Sequence, residues 1–397
     1  MKLLIVSAVF PPEPVVSSQL SFDIAENMAE NGNAVTVICP RPTRPLGYIF
    51  ADSARITGNI SKVVLNSYTC AESKIFGRFR ESLSFGIHCF RFIRDNHKDF
   101  DVIYANTWPL FAQYYLIKAA NKYGIPIVLH IQDLYSESIA EKQRGLIKKL
   151  LLFLFIPLDK YILKKCSKVI AISFPMMEYI VKTRKVENSK VYVVRNWQND
   201  SDFINSFQKK RVDRAEFVFM YLGTINPSAS VDTMIHAFGR AKLPKAKLII
   251  AGEGSDKSDC IKVAHQYPGK IIEFISAPLE KVHEIQQQAD VLLLPLKKGI
   301  AKTATPSKLT AYMFSGKPII ACVEEESDTA TCILEANCGF VVEPENPSSL
   351  AMSMETIYLT DKVILAGYGK NGLDYAINNL SKEKNLKRLQ SLITDEN

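Results

Sequence analysis

The chain has 397 residues, 47% of them hydrophobic and 23% charged. That composition belongs to a globular protein, and the length suits two domains of roughly 150–200 residues better than one core. No stretch reaches the roughly 20 apolar residues of a membrane span. The N-terminal apolar run is too short for a signal-peptide core before Pro11 and Pro12, so a cytoplasmic chain is expected. The net charge of +8 is uneven: residues 1–195 carry 26 Lys and Arg against 16 Asp and Glu, and residues 196–397 carry 23 against 25. The first half therefore faces something anionic, whether nucleic acid, a phospholipid surface or a phosphorylated substrate.

In chain order, short apolar runs of β-branched character alternate with helical patterns. The runs 3–8, 34–39, 63–66, 102–105, 127–131, 169–173 and 191–195 read as strands buried on both faces. Residues 18–31 read as one of the intervening helices, stopped by Gly32. The pattern restarts with strands at 217–222, 247–251, 271–275, 291–294, 318–322 and 340–343. Between the two sets, 196–216 is polar, carries Lys209, Lys210 and Arg211, and reads as a linker with the boundary near Asn196. The tail from about Asp374 reads as a polar-faced helix that can pack back on the first domain. This is the grammar of an α/β protein with two Rossmann-like parallel sheets, a fold that binds ligands at the carboxyl ends of its strands, in a cleft the two domains face. The eight cysteines show no metal spacing and read as small buried hydrophobes, so no disulfide framework, metal or cofactor is implied.

Three segments of the second half carry candidate chemistry. After the strand at 291–294 comes a loop. Then Pro306 fixes the chain, Ser307 is a good N-cap, and Leu309, Tyr312 and Met313 give helical spacing up to Gly316. A helix start with a hydroxyl and Lys308 is a ready site for phosphate oxygens; an ordinary capped helix is the plain alternative. Gly223 and Thr224 close the first strand of the set, with Ser228 or Ser230 capping the next helix. Gly252 and Gly254 close the second strand and let a backbone approach a ligand, or simply make a βα turn. All three segments share one sheet edge.

These residues carry a resemblance. The run from Ala289 to Pro295, then Pro306, Ser307, Lys308 and Leu309, then Gly316 to Ala321 and Cys338 to Val342 resemble glycosyltransferase family 4, retaining enzymes of GT-B architecture. Phe10 to Glu13 and Arg195 to Trp197 also look like the family, and the likeness spans nearly the whole chain. Within it, the likeness is to bacterial O-antigen and capsule enzymes of the fucosaminyltransferase type. The resemblance implies that residues 196–373 bind a nucleoside-diphosphate-sugar, with UDP favoured, and residues 1–195 bind the acceptor. It implies retention without a metal, because helix dipole and cations neutralise the leaving diphosphate. Gly223, Thr224, Gly252, Gly254, Ile275, Thr305, Pro306, Ser307, Lys308 and Leu309 become the donor-binding candidates. Where the family carries two glutamates eight positions apart, this chain has Thr303 and Ala311. The family's Arg and Lys after the first donor strand fall near Thr224 and Ala229. Lys308 is then the main candidate cation, with Lys297, Lys298 and Lys302 as reserves. A GT-B nucleotide-sugar epimerase and a non-catalytic GT-B partner subunit are the alternative readings.

In the first half, Asp133 falls just past the strand at 127–131, where a carboxylate among apolar strand ends needs a partner. The family has a His before an Asp here. Gln132 stands at that position and His130 lies two residues earlier, so His130, Gln132, Asp133 and Lys308 are the catalytic candidates. Asp133 as a helix cap and His130 as a buried structural residue are the alternatives. Ser17 and Ser18, at a helix start, and Asn106, just past the 102–105 run, are candidates for the acceptor, a polyprenyl-diphosphate-linked sugar. Two segments mix basic and apolar residues as an interfacial helix does. One is 142–165, with Arg144, Lys148, Lys149, Lys160, Lys164 and Lys165 around the apolar run 150–158. The other is 75–94, with Phe76, Phe79, Phe85, Phe90 and Phe92 among arginines. A peripheral position on an anionic membrane at its cytoplasmic side is expected. Nucleic-acid signatures are absent.

Overall fold

A computed structural model describes all residues except 44–49, 51–58, 71–74, 107–109, 142–144, 198–215, 279–280, 301–306 and 395–397. Most of the expected linker, together with Arg144, Lys302, Thr303, Thr305 and Pro306, therefore lies outside the described residues. The chain divides into two compact units, Met1–Arg195 with Asn385–Asn397, and Asn196–Lys384.

The first unit runs β1 (Lys2–Val6), α1 (Val16–Glu30), β2 (Ala34–Pro40), β3 (Ile60–Leu65), α2 (Ile75–Asn96), β4 (Val102–Ala105), α3 (Leu110–Tyr123), β5 (Ile127–Ile131), α4 (Tyr135–Glu141), α5 (Gly145–Lys165), β6 (Lys168–Ala171), α6 (Phe174–Arg184) and β7 (Val191–Val193). Its strands form one parallel sheet in the order β3-β2-β1-β4-β5-β6-β7. The unbroken apolar runs form these strands because helices cover both faces; Leu3, Leu4, Ile5 and Val6 are all fully buried. The second unit repeats the scheme with β8 (Phe217–Leu222), β9 (Ala246–Ala251), β10 (Ile271–Ile275), β11 (Val291–Pro295), β12 (Ile319–Cys322) and β13 (Gly339–Val342), in the order β10-β9-β8-β11-β12-β13, again all parallel. Each expected strand is present, with ends shifted by a few residues at most. All eight cysteines are buried with free thiols.

In each sheet the chain reverses its direction of winding once. In the first sheet β1 lies between β2 and β4; in the second β8 lies between β9 and β11. Beyond the carboxyl ends of such a strand pair the two connections leave in opposite directions, and a crevice opens. Each unit thus has one topologically defined ligand position, at β1/β4 and at β8/β11.

The C-terminal helix Lys382–Thr394 completes the first unit from Asn385 onward. Lys168 Nζ donates to the Leu392 carbonyl at 3.0 Å, and the Arg195 amide donates to Asn385 Oδ1 at 3.1 Å. The preceding helix, Lys362–Asn379, stays with the second unit.

Of the two segments expected to resemble interfacial helices, α2 does not keep that character. Phe85 is buried, and Phe79, Phe90 and Phe92 pack against the core. Phe79 meets Phe111 and Phe155 with ring centroids 5.8 and 5.6 Å apart. Arg78 pairs with Glu81 at 2.8 Å and Arg80 lies over the Tyr68 ring. Among its described large apolar side chains, Phe76 and Leu83 are the exposed ones. The aromatic spacing serves packing on α3 and α5 instead.

One buried ion cluster ties three helices together. The fully buried Arg184 on α6 donates Nη2 to Glu137 of α4 at 2.7 Å and Nε to Asp159 of α5 at 2.8 Å. Tyr179 adds its hydroxyl to Glu137 at 2.9 Å. Burial raises the Asp159 carboxyl, and Arg184 opposes that shift. Removing the guanidinium would leave two carboxylates without their cation in a dry site. Arg184→Ala is expected to cost about 3–5 kcal/mol, read as a lowered denaturation midpoint. A change under about 1 kcal/mol would show the cluster to be solvent-relaxed.

Candidate functional site

At the β8/β11 position, the strand end is held open by a tyrosine. β11 pairs with β8 only over Val291–Phe219 and Leu292–Met220. At Leu222, the last residue of β8, the amide donates to Tyr312 Oη at 2.9 Å and that hydroxyl donates to the Leu222 carbonyl at 3.1 Å. Tyr312 sits on the helix Ser307–Phe314, so this helix takes the place of a strand neighbour and its first turn is fixed over the sheet edge.

Gly223 follows with φ +150°. Its amide continues the ladder to Ala251 O at 2.9 Å, and the Gly252 amide continues it to Ile275 O at 2.9 Å. A Cβ on Gly223 would overlap Lys308 Cε, and one on Gly252 would overlap the Gly223 carbonyl. Gly223 is therefore glycine because the Lys308 side chain crosses its face. Gly252 and Gly254 let neighbouring backbone approach, Gly223 and Ile225 respectively.

Lys308, second residue of its helix, ends at Tyr221: Nζ donates to Tyr221 Oη at 2.6 Å and stands 4.7 Å from the ring centroid. The Tyr221 hydroxyl donates onward to Thr224 O at 2.6 Å. Burial raises the Tyr221 pKa, so the phenol keeps its proton and its oxygen accepts from the ammonium. Among the described residues no carboxylate pairs with Lys308. Burial alone lowers its pKa to about 8. A partly desolvated ammonium without a counter-charge among the described residues, at the positive end of a helix, is electrostatically incomplete until an anion joins it.

The other donor candidates are placed as follows. Thr224 is exposed at the same edge, and Ile275 is half-buried where β10 ends. The Leu309 side chain is buried in the core, so only its backbone faces the helix start. Nothing is described of the Ser307 side chain. Ala229 and Ala311 are both buried. Lys297 and Lys298 are exposed, on a loop held by Lys297 N to Ser228 O at 3.0 Å and by Gly299 N to a Glu324 carboxylate oxygen. Neither Ser228 nor Ser230 caps a helix with its side chain. Ser230 stands at the N-cap position of the helix Val231–Arg240 without a side-chain cap bond, while Asn226 caps the short turn Pro227–Ala229, accepting from the Ser228 and Ala229 amides at 3.1 Å.

At the β1/β4 position the polar groups form a buried chain. Asn106 Nδ2 donates to Ser21 Oγ at 2.8 Å; Ser21 Oγ lies 2.9 Å from Ser7 Oγ. Ser18 Oγ and Asn106 Oδ1 are buried without a hydrogen-bond partner. α1 begins at Val16 behind Val15, which makes no side-chain cap, so Ser17 and Ser18 lie inside the first turn and do not cap it. Ser17 instead offers its carbonyl to Ser21 Oγ at 2.8 Å.

His130 is 1% exposed and lies within β5, its Nδ1 2.7 Å from Tyr104 Oη. Burial pushes its pKa down to about 4, with a small opposing effect of the Val194 backbone. Its ring lies in the core, packed against Tyr104. Asp133 and Gln132 are half-buried beyond the end of β5. Asp133 Oδ1 accepts from Ser138 Oγ of α4 at 2.7 Å.

Sequence reasoning missed Tyr221 and, in its bonding role, Tyr312. Their only sequence signal is a tyrosine two residues before the strand-end glycine and one four residues after the lysine.

Two sheets of this kind, each all-parallel with one switch point, make up the GT-B architecture. Residues 18–201 match the model described as Glycosyltransferase Family 4 and residues 202–374 the model Glycosyl transferases group 1. Between them the two matches span nearly the whole chain, and the protein belongs to the family-4 glycosyltransferases. It is 24% identical over 290 residues to the "Probable glycosyltransferase WbjE" of Pseudomonas aeruginosa, covering 69% of this chain and 70% of that protein. Among solved structures, a glycosyltransferase from Rickettsia africae superimposes with a TM-score of 0.70 at 13% identity, covering 99% of this chain and 98% of that one. Anabaena Alr3699/HepE in complex with UDP does so with a TM-score of 0.69 at 16% identity, over 99% and 100%.

The Gly223–Lys308 packing makes a stability prediction. Gly223→Ala is expected to cost about 1–3 kcal/mol from its positive φ, and more from the overlap with Lys308. In a Lys308→Ala background the overlap part should vanish, a coupling that a double-mutant cycle on denaturation midpoints detects. Strict additivity would show that Lys308 does not cross Gly223.

Proposed function

We propose that this glycosyltransferase moves a sugar, with retention and without a metal, from a UDP-sugar to a hydroxyl of a polyprenyl-diphosphate-linked glycan. The observation that carries the reading is Lys308: a half-buried ammonium with no carboxylate partner among the described residues, at a helix start held at the switch point of the second sheet. When the glycosidic bond to the diphosphate breaks, negative charge builds on the leaving phosphate oxygen. Lys308 and the N–H groups of its helix would face that charge in a low-dielectric site, the usual electrostatic route. The second unit is then the donor domain, with Gly223, Thr224, Thr305, Pro306 and Ser307 along the diphosphate and Ile275 at the base side. UDP is favoured by the UDP complex of Anabaena HepE.

The first unit is the acceptor domain. Asp133 and Gln132, beyond β5, would orient the acceptor hydroxyl or the reacting sugar. The unpartnered Ser18 Oγ and Asn106 Oδ1 mark where acceptor polar groups would enter the β1/β4 crevice. His130 acts through Tyr104 as support, since its ring does not reach the surface. The kinship with WbjE and the subgroup likeness favour surface-polysaccharide synthesis, O-antigen or capsule, with the enzyme peripheral at the cytoplasmic face of the cell membrane. The basic balance of residues 1–195 supports that position.

The buried Ala311, standing where the family has an acid, favours one second reading, a non-catalytic partner subunit. A thermal-shift panel of UDP-, GDP- and dTDP-sugars separates the two, because a ligand that binds the native state raises the melting temperature. UDP-sugars should give the largest shift, and Lys308→Ala should weaken their binding by about 10- to 100-fold, the worth of a charged hydrogen bond. No shift with any nucleotide sugar would remove the donor site. Unchanged UDP binding by Lys308→Ala, with neither hydrolysis nor transfer detectable, would leave the partner-subunit reading in its place.

A further inference from the structure

A surface helix ordinarily turns one apolar stripe to the core and a polar face to water. α5 departs from that rule. Its inner side is occupied: Phe155, Ile162 and Leu163 are buried, Phe155 packs on Phe79 and Phe111, and Asp159 is locked to Arg184. That bond fixes the helix's rotation and so decides which residues face outward. They are apolar too: Leu146, Leu150, Phe153, Leu154 and Tyr161 are between 45% and 83% exposed. At 100° per residue these positions share one face, opposite Asp159. Contiguous exposed apolar surface of this kind marks an interaction site.

The charge around that face selects the partner. Lys149 and Lys160 run along one flank, and Lys164 and Lys165 close the C-terminal end. The one acid of the helix, Asp159, is buried and paired with Arg184. The outer surface of α5 therefore carries apolar and positive groups and no negative one. Among the described residues no helix is long and apolar enough to cross a membrane, and the apolar run is broken by Pro157. An apolar face rimmed by lysines, too short to span, fits the boundary between headgroups and acyl chains of an anionic bilayer.

We propose that α5 is an in-plane membrane helix, which seats the first unit on anionic phospholipid through Leu146, Leu150, Phe153 and Leu154, with Lys149, Lys160, Lys164 and Lys165 on the headgroups. This gives a specific surface to the peripheral position proposed above and rests on that reading. α2 contributes little, since its aromatic side chains are packed inward.

The test uses the full chain and vesicles of phosphatidylcholine with or without phosphatidylglycerol. Cosedimentation should occur with the anionic vesicles, weaken with added salt, and be much weaker on phosphatidylcholine alone. Phe153→Ser should reduce binding by about tenfold or more, and Lys164→Glu by at least the roughly fivefold that one lysine contributes. Both positions are exposed, so melting temperature and UDP-sugar thermal shift should stay at wild-type values. No sedimentation, or sedimentation equal for wild type and Phe153→Ser, overturns the proposal. So does a concentration-dependent dimer in sedimentation velocity that Phe153→Ser abolishes, which would give the face to a second copy of the chain. Loss of UDP-sugar binding in the wild type with vesicle binding intact would instead remove the donor reading and leave the membrane helix standing.

Discussion

The ammonium of Lys308 is carried over Gly223 to the hydroxyl of Tyr221, and this one placement organises the second unit. It explains why the first strand ends in glycine, since any larger residue would displace the lysine. It explains the tyrosine two residues earlier, which accepts one N–H of the cation and anchors its own hydroxyl on Thr224 O. It requires the helix Ser307–Phe314 to be fixed against β8, which the paired bonds of Tyr312 to Leu222 achieve. The result is a half-buried cation with no carboxylate beside it among the described residues, at the point where the sheet's topology opens a crevice. Such an arrangement is costly in the unliganded protein, and strain of this sort accumulates at functional sites.

The first unit is built on the same principle with different chemistry. Its switch point at β1/β4 holds hydroxyl and amide groups, Ser7, Ser18, Ser21 and Asn106, in place of a buried cation. The ion cluster of Arg184, Glu137 and Asp159 binds α4, which follows the Asp133 turn, to α5, whose outer face is apolar. The helix that meets the membrane in the proposal above and the segment that carries Asp133 are thus parts of one packed block. Uneven charge along the chain finds its counterpart here: lysines surround an apolar surface in the first unit, and in the second the reading rests on the half-buried Lys308.

The architecture was legible because parallel strands buried on both faces leave a strong signal. Runs such as Leu3 to Val6 and Val291 to Leu294 need no tertiary information to be read as strands, and the restart after the polar segment divides the chain. The gathering of Gly223, Thr224 and Lys308 on one edge was legible too, since all follow strand ends of one sheet. Individual roles were not. That Ser230 precedes its helix in a left-handed conformation, φ +47°, and makes no side-chain cap bond is not announced by composition. The aromatic residues of α2 and those of α5 look alike in sequence, and only packing decides that Phe79 turns inward and Phe153 outward. His130 and Asp133 are three residues apart, yet one is buried within the sheet and the other lies past its edge. Tyr221 was invisible as a site residue because its partner, Lys308, is distant in sequence.

The central claim is that the Lys308 amine is incomplete without an anion. Its pKa near 8 should rise when a diphosphate arrives, so binding at pH 8 must take up a proton. Calorimetric titration with a UDP-sugar, whose diphosphate carries no group titrating near neutrality, in two buffers of different ionisation enthalpy measures that uptake directly. The account predicts about half a proton gained at pH 8, little at pH 6.5, and none at either pH in Lys308→Met. Binding without proton uptake at pH 8, or with the same uptake in Lys308→Met, would contradict it.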